Sequence, residues 1–290
     1  MPEYGSPSVR RRRLAAELRR LRERAGLVGE EVARRLGWST SKISRLERGQ
    51  SAIKHSDLRR LLDLYRVDPP RREELMTLAE ESQLSGRLKV ISARLPGVHA
   101  EFLNVEAEAE SVWNWEPQIV PGLLQTEDYA RAVMLGWHSM FTEPPSEVER
   151  RVEARRLRQQ ALQRDPPLQL SVVMDESVLH RKLGEASIMR TQLQHIVEAS
   201  RLPNISVRIL PLKSDHPVTT GAFTYVKFPQ IHEVPLDDIV TFEHLTGTDQ
   251  SEDQDDTYKY SVAFRALQES SLGLDQSRAE LTRVATEEWA

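Results

Sequence analysis

The sequence contains no cysteine among its 290 residues. Disulfide bonds, thiolate zinc sites and cysteine nucleophiles are therefore excluded, and a chain without cysteine is typical of a cytoplasmic protein. No run of about 18 apolar residues occurs, so we expect no membrane-spanning helix. The chain is nevertheless 39% hydrophobic and 29% charged, which is ordinary for a globular protein, and its length suffices for two domains of about 150 residues each.

The sequence also lacks the motifs of common cofactor and metal sites. It has no glycine-rich phosphate loop and no Gly-x-Ser-x-Gly motif. The eight histidines are scattered, and no two of them lie four residues apart. The acidic stretch 249–256 lacks the central glycine and the closing glutamate of a calcium loop. We therefore predict no cofactor, no metal site and no enzymatic activity.

Charge is distributed very unevenly along the chain. Residues 1–66 hold 17 basic and 8 acidic side chains, a net charge of +9, whereas residues 67–290 hold 23 basic and 36 acidic side chains, a net charge of −13. A basic head on an acidic body indicates nucleic-acid binding confined to the head. The acidic body would be repelled by phosphate, which would suppress indiscriminate binding.

The stretch from Trp38 to Gly49 is typical of a short helix that binds the major groove of DNA. Ser39 is a suitable N-cap and Gly49 a suitable helix stop, while Ile43 and Leu46 give the helix an apolar back. The opposite face carries small hydroxyls followed by arginines and no acid, so it can approach base edges closely. We predict DNA contacts from this helix, and a phosphate contact from the start of the next one, by Ser39, Thr40, Ser41, Lys42, Ser44, Arg45, Arg48 and Lys54.

The preceding stretch, 27–37, predicts a second short helix that ends at Gly37 and places the small residue Ala33 where the two helices cross. Together the two helices resemble the Xre/Cro-type helix-turn-helix family. Val28-Gly29 departs from the usual Thr-Gln of that family, so the helix lacks both the threonine cap and the glutamine that often contacts a phosphate.

Further helices are predicted over 9–25, 54–65 and 71–82, which makes a five-helix head. The run Arg10 to Arg13 is either a solvated helix end or an arm that contacts phosphate. Glu47 is expected to pair with an arginine of the fold, because an acid that faces phosphate would be repelled. The predicted domain organisation is a disordered tail over 1–8, a helix-turn-helix domain over 9–84, a linker over 85–97 and a regulatory domain over 98–290.

The second domain is predicted to be α+β with a small sheet. Helical stripes span 102–115, 126–134, 147–163, 177–183, 188–200, 256–269 and 275–288, and alternating stretches predict strands near 168–172, 205–209, 223–228 and 239–243. Trp113 and Trp115 lie two apart and so cannot share one face of the predicted helix 102–115. The stretch 249–256 is predicted to be an acidic loop.

Several motifs of the second domain resemble the domain that follows the helix-turn-helix in WhiJ-like regulators of actinobacteria. They include the Pro-Gly-Leu-Leu-Gln-Thr-x-x-Tyr-Ala stretch from Pro121, Arg155-x-x-Arg158-Gln159 and Phe242-Glu243. The resemblance implies a transcriptional regulator, often a repressor, that is often encoded beside a small partner protein. That second domain has no settled chemistry.

The resemblance and the strand-end carboxylates give a predicted binding surface for a partner or ligand. It comprises Pro121, Gly122, Leu123, Leu124, Gln125, Tyr129, Arg155, Arg158, Gln159 and Glu176. The alternative for the Leu123, Leu124 and Tyr129 group is a purely structural role in the core. Glu176 and Glu243 are either a hydrolytic pair, partners of an arginine on another protein, or partners of Arg155 and Arg158.

These observations lead to three alternative hypotheses for the function. The favoured one is a regulator that binds operator DNA as a homodimer, on half-sites roughly 34 Å apart, and whose second domain dimerises, senses a small partner protein or ligand, or does both. A second is the antitoxin of a two-gene pair that regulates its own operon. A third is an enzyme tethered to DNA with a carboxylate-based site in the second domain.

Overall fold

A computed structural model of the protein describes residues 9–84, 105–106, 108–138, 145–229, 237–244 and 247–290. The predicted tail (1–8) and linker (85–97) lie outside the described residues. The chain separates into two compact units. Among the described residues, the first unit comprises those up to Glu108 together with Pro229, and the second comprises all the others. A helical first unit and an α+β second unit confirm the predicted fold class.

The first unit contains the five predicted helices. All five start and end within two residues of their predicted bounds. Val28 precedes the second of them without a side-chain cap, as the missing threonine predicts. The helices are α1 (Val9–Arg24), α2 (Gly29–Leu36), α3 (Thr40–Glu47), α4 (His55–Leu64) and α5 (Pro69–Leu84).

Two glycines set the turns on either side of α3. Gly37 and Gly49 have φ of +69° and +67°, a left-handed conformation that glycine adopts without the steric penalty of a Cβ. The chain folds back at each, so that Trp38 donates to the carbonyl of Ala33 (2.8 Å) and Gln50 donates to that of Arg45 (2.9 Å). These turns fix where α3 begins and ends.

The apolar backs of the five helices form one core, and a partly buried ion pair joins α1 to α3. The core contains Leu14, Leu18, Val32, Ala33, Ile43, Leu46, Leu58, Leu61, Leu62, Leu75 and Leu78. Arg22 donates through Nε and Nη2 to the two carboxylate oxygens of Glu47 (2.7 and 3.0 Å), and through Nη1 to the carbonyl of Leu27 (2.9 Å). The expected pairing of Glu47 with an arginine is confirmed.

Glu47→Gln is expected to lower the free energy of unfolding of the first unit by about 1–2 kcal/mol. The substitution removes the negative charge from a bidentate ion pair whose side chains are only 14% and 12% exposed. Urea denaturation followed by circular dichroism measures this. Glu31→Gln is the matched control, because Glu31 pairs with Arg35 at the surface, where ion pairs contribute about 0.5 kcal/mol or less. Equal losses in both variants would contradict a stabilising role for the Arg22–Glu47 pair.

The second unit is built on a six-stranded mixed sheet in the order β3-β2-β1-β4-β5-β6. Strands β1 to β3 are parallel to one another, and β4 to β6 continue the sheet in antiparallel pairs. The strands are β1 (Ser111–Glu116), β2 (Gln169–Asp175), β3 (Ile205–Leu210), β4 (Phe223–Lys227), β5 (Ile239–His244) and β6 (Gly247–Ser251).

Six helices accompany this sheet in the described part of the second unit. They are α6 (Glu127–His138), α7 (Pro145–Gln159), α8 (Ser177–His180), α9 (Ala186–Ala199), α10 (Gln254–Ser270) and α11 (Leu274–Glu287), with short 3-10 turns at Gly122–Leu124 and Gln160–Leu162. No helix among the described residues has both the length and the apolar composition needed to cross a membrane.

The two faces of the sheet differ in chemistry. On one face aromatic side chains of β1, β4 and β5 pack against α10, with the ring of Trp113 stacked on those of Tyr225 (5.1 Å) and Phe264 (5.4 Å). On the other face, Asn114, Thr224 and Thr241 lie side by side in register. A buried polar row needs hydrogen-bond partners, and here the sheet supplies them, since Asn114 donates to the carbonyl of Phe223 (3.2 Å) and Thr241 donates to that of Thr224 (3.4 Å).

Two predictions about this region are wrong. The predicted helix over 102–115 is wrong at its C-terminal end, because Ser111–Glu116 is strand β1. In a strand, residues two apart share a face, so Trp113 and Trp115 both lie on the aromatic side. The predicted acidic loop over 249–256 is also wrong, because Gly247–Ser251 pairs with β5 as the edge strand β6 and α10 begins at Gln254.

Candidate functional site

The exposed face of α3 has the shape and chemistry predicted for a DNA-contacting surface. Ile43 and Leu46 are 3% and 5% exposed and anchor the helix to the core. Thr40, Ser41 and Arg45 are exposed on the opposite side. The predicted N-cap is confirmed, since the Ser39 hydroxyl accepts a hydrogen bond from the backbone N–H of Lys42 (3.2 Å). The result is a short helix that is anchored on one face and exposed to solvent on the other.

Lys42 is directed toward α4 instead of away from the head. Its ammonium donates to Asp57 (2.8 Å) and lies 3.7 Å from the centre of the Trp38 ring. Arg60 approaches the same ring at 5.4 Å. These contacts fix the start of α3 against α4. The ammonium of Lys42 is therefore engaged within the head and is less available to a phosphate than an unpaired charge would be.

Arg45 is the cation of this face with the most freedom. Within the part of the chain that the structure describes, its guanidinium has neither an ion-pair nor a hydrogen-bond partner. Arg48, one turn further on, donates to the Ser44 hydroxyl. Lys54 is exposed and occupies the N-cap position of α4. The predicted contact residues therefore lie on α3 and at the start of α4, with Arg45 best placed to reach a base edge.

A groove runs between the start of α2 and the front of α3. It is lined by Val28, Gly29, Glu30, Thr40, Ile43, Ser44 and Glu47. Val28 is 63% exposed, which is unusual for an apolar side chain of this size. The position where the helix-turn-helix pattern usually has threonine thus presents two methyl groups beside Thr40.

The basic run at the start of α1 fits neither of its predicted roles as a whole. Arg12 and Arg13 are 8% and 0% exposed, so they belong to the interior of the first unit. Burial lowers the pKa of Arg13, with the charge of Glu108 acting in the opposite direction. A solvated helix end or a free phosphate-contacting arm would leave both guanidinium groups accessible.

In the second unit, the predicted binding motif forms a loop that three glutamines hold in place. Gln125 donates to the carbonyl of Val120 (2.6 Å), and Gln159 of α7 donates to the carbonyl of Gln125 (2.6 Å). Gln192 of α9 donates to the carbonyl of Leu124 (2.7 Å) and accepts from the N–H of Thr126 (2.7 Å). These bonds satisfy a buried loop backbone that would otherwise be unpaired.

Most side chains of this motif lie inside the unit. Leu123, Leu124, Gln125 and Tyr129 are between 0% and 4% exposed. The Tyr129 hydroxyl accepts from the N–H of Val120 (3.1 Å). Such residues shape their surroundings and cannot form a flat docking surface, which favours the structural alternative for them. Arg155, at the end of the same network, donates to the Gln125 side chain.

Beside this loop, the polar face of the sheet carries two glutamates. Glu116 ends β1 two residues after Asn114, and Glu243 lies on β5 two residues after Thr241, so both point to the face of the polar row. One strand separates them, which places their Cα atoms roughly 9–10 Å apart. Asn114 is 7% exposed and donates to the Thr224 hydroxyl (3.0 Å). We name Asn114, Glu116, Arg155 and Glu243 the polar sheet site.

The electrostatics of this site are strongly perturbed. Burial raises the pKa of Glu116 to about 8, the charge of Glu243 adds to the shift, and Asn114 and Arg155 oppose it. Burial likewise lowers the pKa of Arg155 to about 10. Neither glutamate forms an ion pair with Arg155 within the described chain, and the buried Nε–H of Arg155 has no acceptor there. Neighbouring titratable groups whose pKa values are shifted by burial and by each other's charge mark a candidate functional site.

Glu176 does not belong to this site, which corrects its predicted association with Glu243 and with Arg155 and Arg158. It directly follows β2, and β1 and β4 lie between β2 and β5 in the sheet. Its carboxylate accepts from the N–H of Leu212 (2.7 Å) and lies 3.8 Å from His180. Glu176 therefore fixes the chain after β3.

Sequence reasoning missed Glu116 and Asn114. The signal was present in the alternation of the segment 113–116, in which Trp113 and Trp115 alternate with Asn114 and Glu116. A period of two predicts a strand with one aromatic and one polar face. The helical stripe predicted across the same residues hid that alternation.

Two family models match the chain. One, described as a helix-turn-helix domain, matches residues 13–75, and the other, described as a domain of unknown function (DUF5753), matches residues 99–283. The first match covers α1 to α4 and confirms the predicted helix-turn-helix; the second covers the whole sheet. No curated protein and no solved structure matches the chain.

Proposed function

The chain belongs to the DUF5753 family and carries a helix-turn-helix domain ahead of that domain, and on this premise we propose that it is a sequence-specific transcriptional repressor. The observation that supports this most directly is the front of α3. Its back is locked by Ile43, Leu46 and the Glu47–Arg22 pair, and its exposed Arg45 is free to reach guanine. Rigid positioning of such side chains is what base readout requires.

The proposal assigns distinct roles to the two domains. The head binds the major groove as one half of a homodimer, on half-sites roughly 34 Å apart. The second domain dimerises and senses a small partner or ligand, and its role is binding, without catalysis. Occupancy of the second domain changes operator affinity by favouring one spacing of the heads. The motif likeness at Pro121 and Arg155 supports placing the protein among WhiJ-like actinobacterial regulators, with a small partner protein encoded nearby.

Selection of bound duplexes from a random-sequence library by the full chain tests this function. We expect enrichment of a palindrome whose half-sites lie one helical turn apart, bound at least about 1,000-fold more tightly than unrelated DNA. Enrichment of a single half-site would contradict the homodimer. Binding without any enriched sequence would contradict a specific regulator.

A thymine methyl group is the expected partner of Val28 in the major groove, because its exposed methyl groups lie beside Thr40 in the groove between α2 and α3. Replacing the facing thymine by uracil in the selected operator should weaken binding by about fourfold, the value of one buried methyl group. Val28→Ala should lose this sensitivity while still binding the operator. An equal response to uracil in both proteins, measured by fluorescence anisotropy, would rule out the contact.

A further inference from the structure

The two carboxyl groups of the polar sheet site are close to arginine side chains but are not paired with them. Glu116 and Glu243 have no ion-pair partner in the described residues, although Arg155 lies within electrostatic range of both. The guanidinium of Arg155 is instead oriented by Gln125, which accepts from Nη1. A fold that needed only to neutralise two acids would bring Arg155 into contact with one of them.

The spacing of the two acids suits contact of both with one bound group. Their Cα atoms are roughly 9–10 Å apart, and two glutamate side chains at that spacing can both reach one ammonium or guanidinium group. Glu243 is exposed at the rim and Glu116 is only partly exposed deeper in the site. A ligand can therefore enter past Glu243 and reach Glu116.

A second, independent observation comes from Arg155. Its Nε–H is buried, with less than 1 Å² of accessible surface, and has no hydrogen-bond acceptor within the described chain. A buried donor of a charged group without an acceptor is costly, and such groups in native structures call for an explanation. An acceptor oxygen supplied by a ligand would satisfy it.

We infer that the polar sheet site binds an organic cation whose ammonium or guanidinium group lies between Glu116 and Glu243. A separate oxygen atom of the same molecule accepts a hydrogen bond from Nε of Arg155. The group belongs either to a free small molecule or to a basic side chain of a partner. This inference deepens the proposed function by naming the chemistry of the signal, and only the effect of binding on DNA affinity rests on that function.

Isothermal titration of the full chain, without DNA, tests the site with 4-guanidinobutyrate and its uncharged isostere 4-ureidobutyrate. The two compounds share the carboxylate and differ in the charge at the other end. We expect the guanidinium compound to bind at least about tenfold more tightly, the usual value of a charge-assisted hydrogen bond. Equal affinities, or no heat from either compound up to about 10 mM, would overturn the inference.

Variants assign the binding to these residues. Glu243→Gln should reduce the preference for the cation to less than about threefold, because it removes one of its two carboxylates. Glu269→Gln, which removes an exposed carboxylate from α10 on the other side of the sheet, should leave the preference unchanged. Equal loss in both variants would show that general charge attracts the probe, and would overturn the site.

The pH dependence of binding gives a readout that a purely structural role would not produce. The charged and titratable groups around Glu116 come from three neighbouring elements. They are Glu243 on β5, Arg155 on α7 with Arg158 beyond it, and Tyr129 on α6. Because the free site holds a proton on Glu116 near neutrality, a cation must displace it, so affinity should rise about 50-fold between pH 6 and pH 8. Glu116→Gln should bind more weakly and without this pH dependence; a parallel pH profile would contradict the inference.

A blocked peptide, acetyl-Gly-Arg-Gly-amide, separates the two sources of the cation. Binding of the peptide as tight as that of 4-guanidinobutyrate, and equally sensitive to Glu243→Gln, supports a basic side chain of a partner. Binding of the small molecule alone supports a free ligand. Because no DNA is present in these titrations, failure of the site and failure of the operator selection are separate results.

Discussion

Replacing Glu116 by glutamine is expected to stabilise the second domain above pH 8 by about 3 kcal/mol and to leave its stability unchanged near pH 4. Burial and the charge of Glu243 raise the pKa of Glu116 to about 8 in the folded protein. A carboxyl group in the unfolded chain titrates near pH 4.5. The folded state therefore penalises the ionised carboxyl, and glutamine removes that penalty while keeping a polar side chain of similar shape.

The sign of the pH effect follows from proton linkage. Between about pH 4.5 and pH 8 the folded state retains a proton that the unfolded state loses, so the stability of the natural protein falls as the pH rises through this window. Below it both states are protonated, and above it both are ionised and the full penalty is present. The full shift of the pKa of Glu116 corresponds to roughly 5 kcal/mol of stability. The expected effect is smaller, about 3 kcal/mol, because Glu116 keeps some access to solvent.

Urea unfolding of the full chain at several pH values, followed by tryptophan fluorescence, measures this effect. The difference between Glu116→Gln and the natural protein should grow from near zero at pH 4 to its maximum above pH 8. Glu269→Gln is again the control, because its carboxylate is exposed and should change neither the stability nor its slope with pH. Parallel pH profiles for the natural protein and Glu116→Gln would show that Glu116 ionises normally in the fold.

If replacing Glu116 stabilises the domain, the natural carboxyl group lowers the stability of the fold. Its presence then indicates a role in binding. Strained or poorly paired groups persist where binding requires them, and their removal commonly raises stability at the expense of function. The same variant should lose the pH-dependent binding of a cation. Gain of stability and loss of binding in one protein would identify the polar sheet site as functional.

The sequence was sufficient for the first unit because its signals are local. Ser39, Gly37 and Gly49 determine the ends of α2 and α3 through contacts within a few residues, and the apolar spacing of α3 determines which face is buried. The ion pair of Lys42, by contrast, could not be predicted from local signals. Its partner Asp57 lies 15 residues away, and only the packing of α3 on α4 brings them together.

The polar sheet site could not be predicted because it depends on strand order. Nothing near Glu116 in the sequence indicates Glu243, which is 127 positions later and becomes its neighbour only when β4 pairs with both β1 and β5. Glu176 was a reasonable alternative, since it directly follows a strand. The sheet nevertheless places β2 on the far side of β1, so that the two predicted carboxylates are kept apart.

Arg45→Ala is expected to weaken operator binding by about 5- to 150-fold, that is by about 1–3 kcal/mol, and to relax base preference at one position in each half-site. Arg45 is exposed on the front of α3, on a helix whose other face is anchored in the core. Within the described chain its guanidinium has no partner that would be lost on substitution. The effect should therefore fall on DNA binding and not on the stability of the head.

Arg59→Ala is the matched control, because Arg59 is an exposed arginine of α4 and its removal changes the net charge by the same amount. A purely electrostatic role predicts similar losses for both variants, uniform over all sequences and diminished at high salt. Base readout predicts a larger loss for Arg45→Ala, confined to operators that carry the preferred base. Anisotropy titrations against the selected operator and a set of single-position variants distinguish the two, and a uniform loss would assign Arg45 to the phosphate backbone.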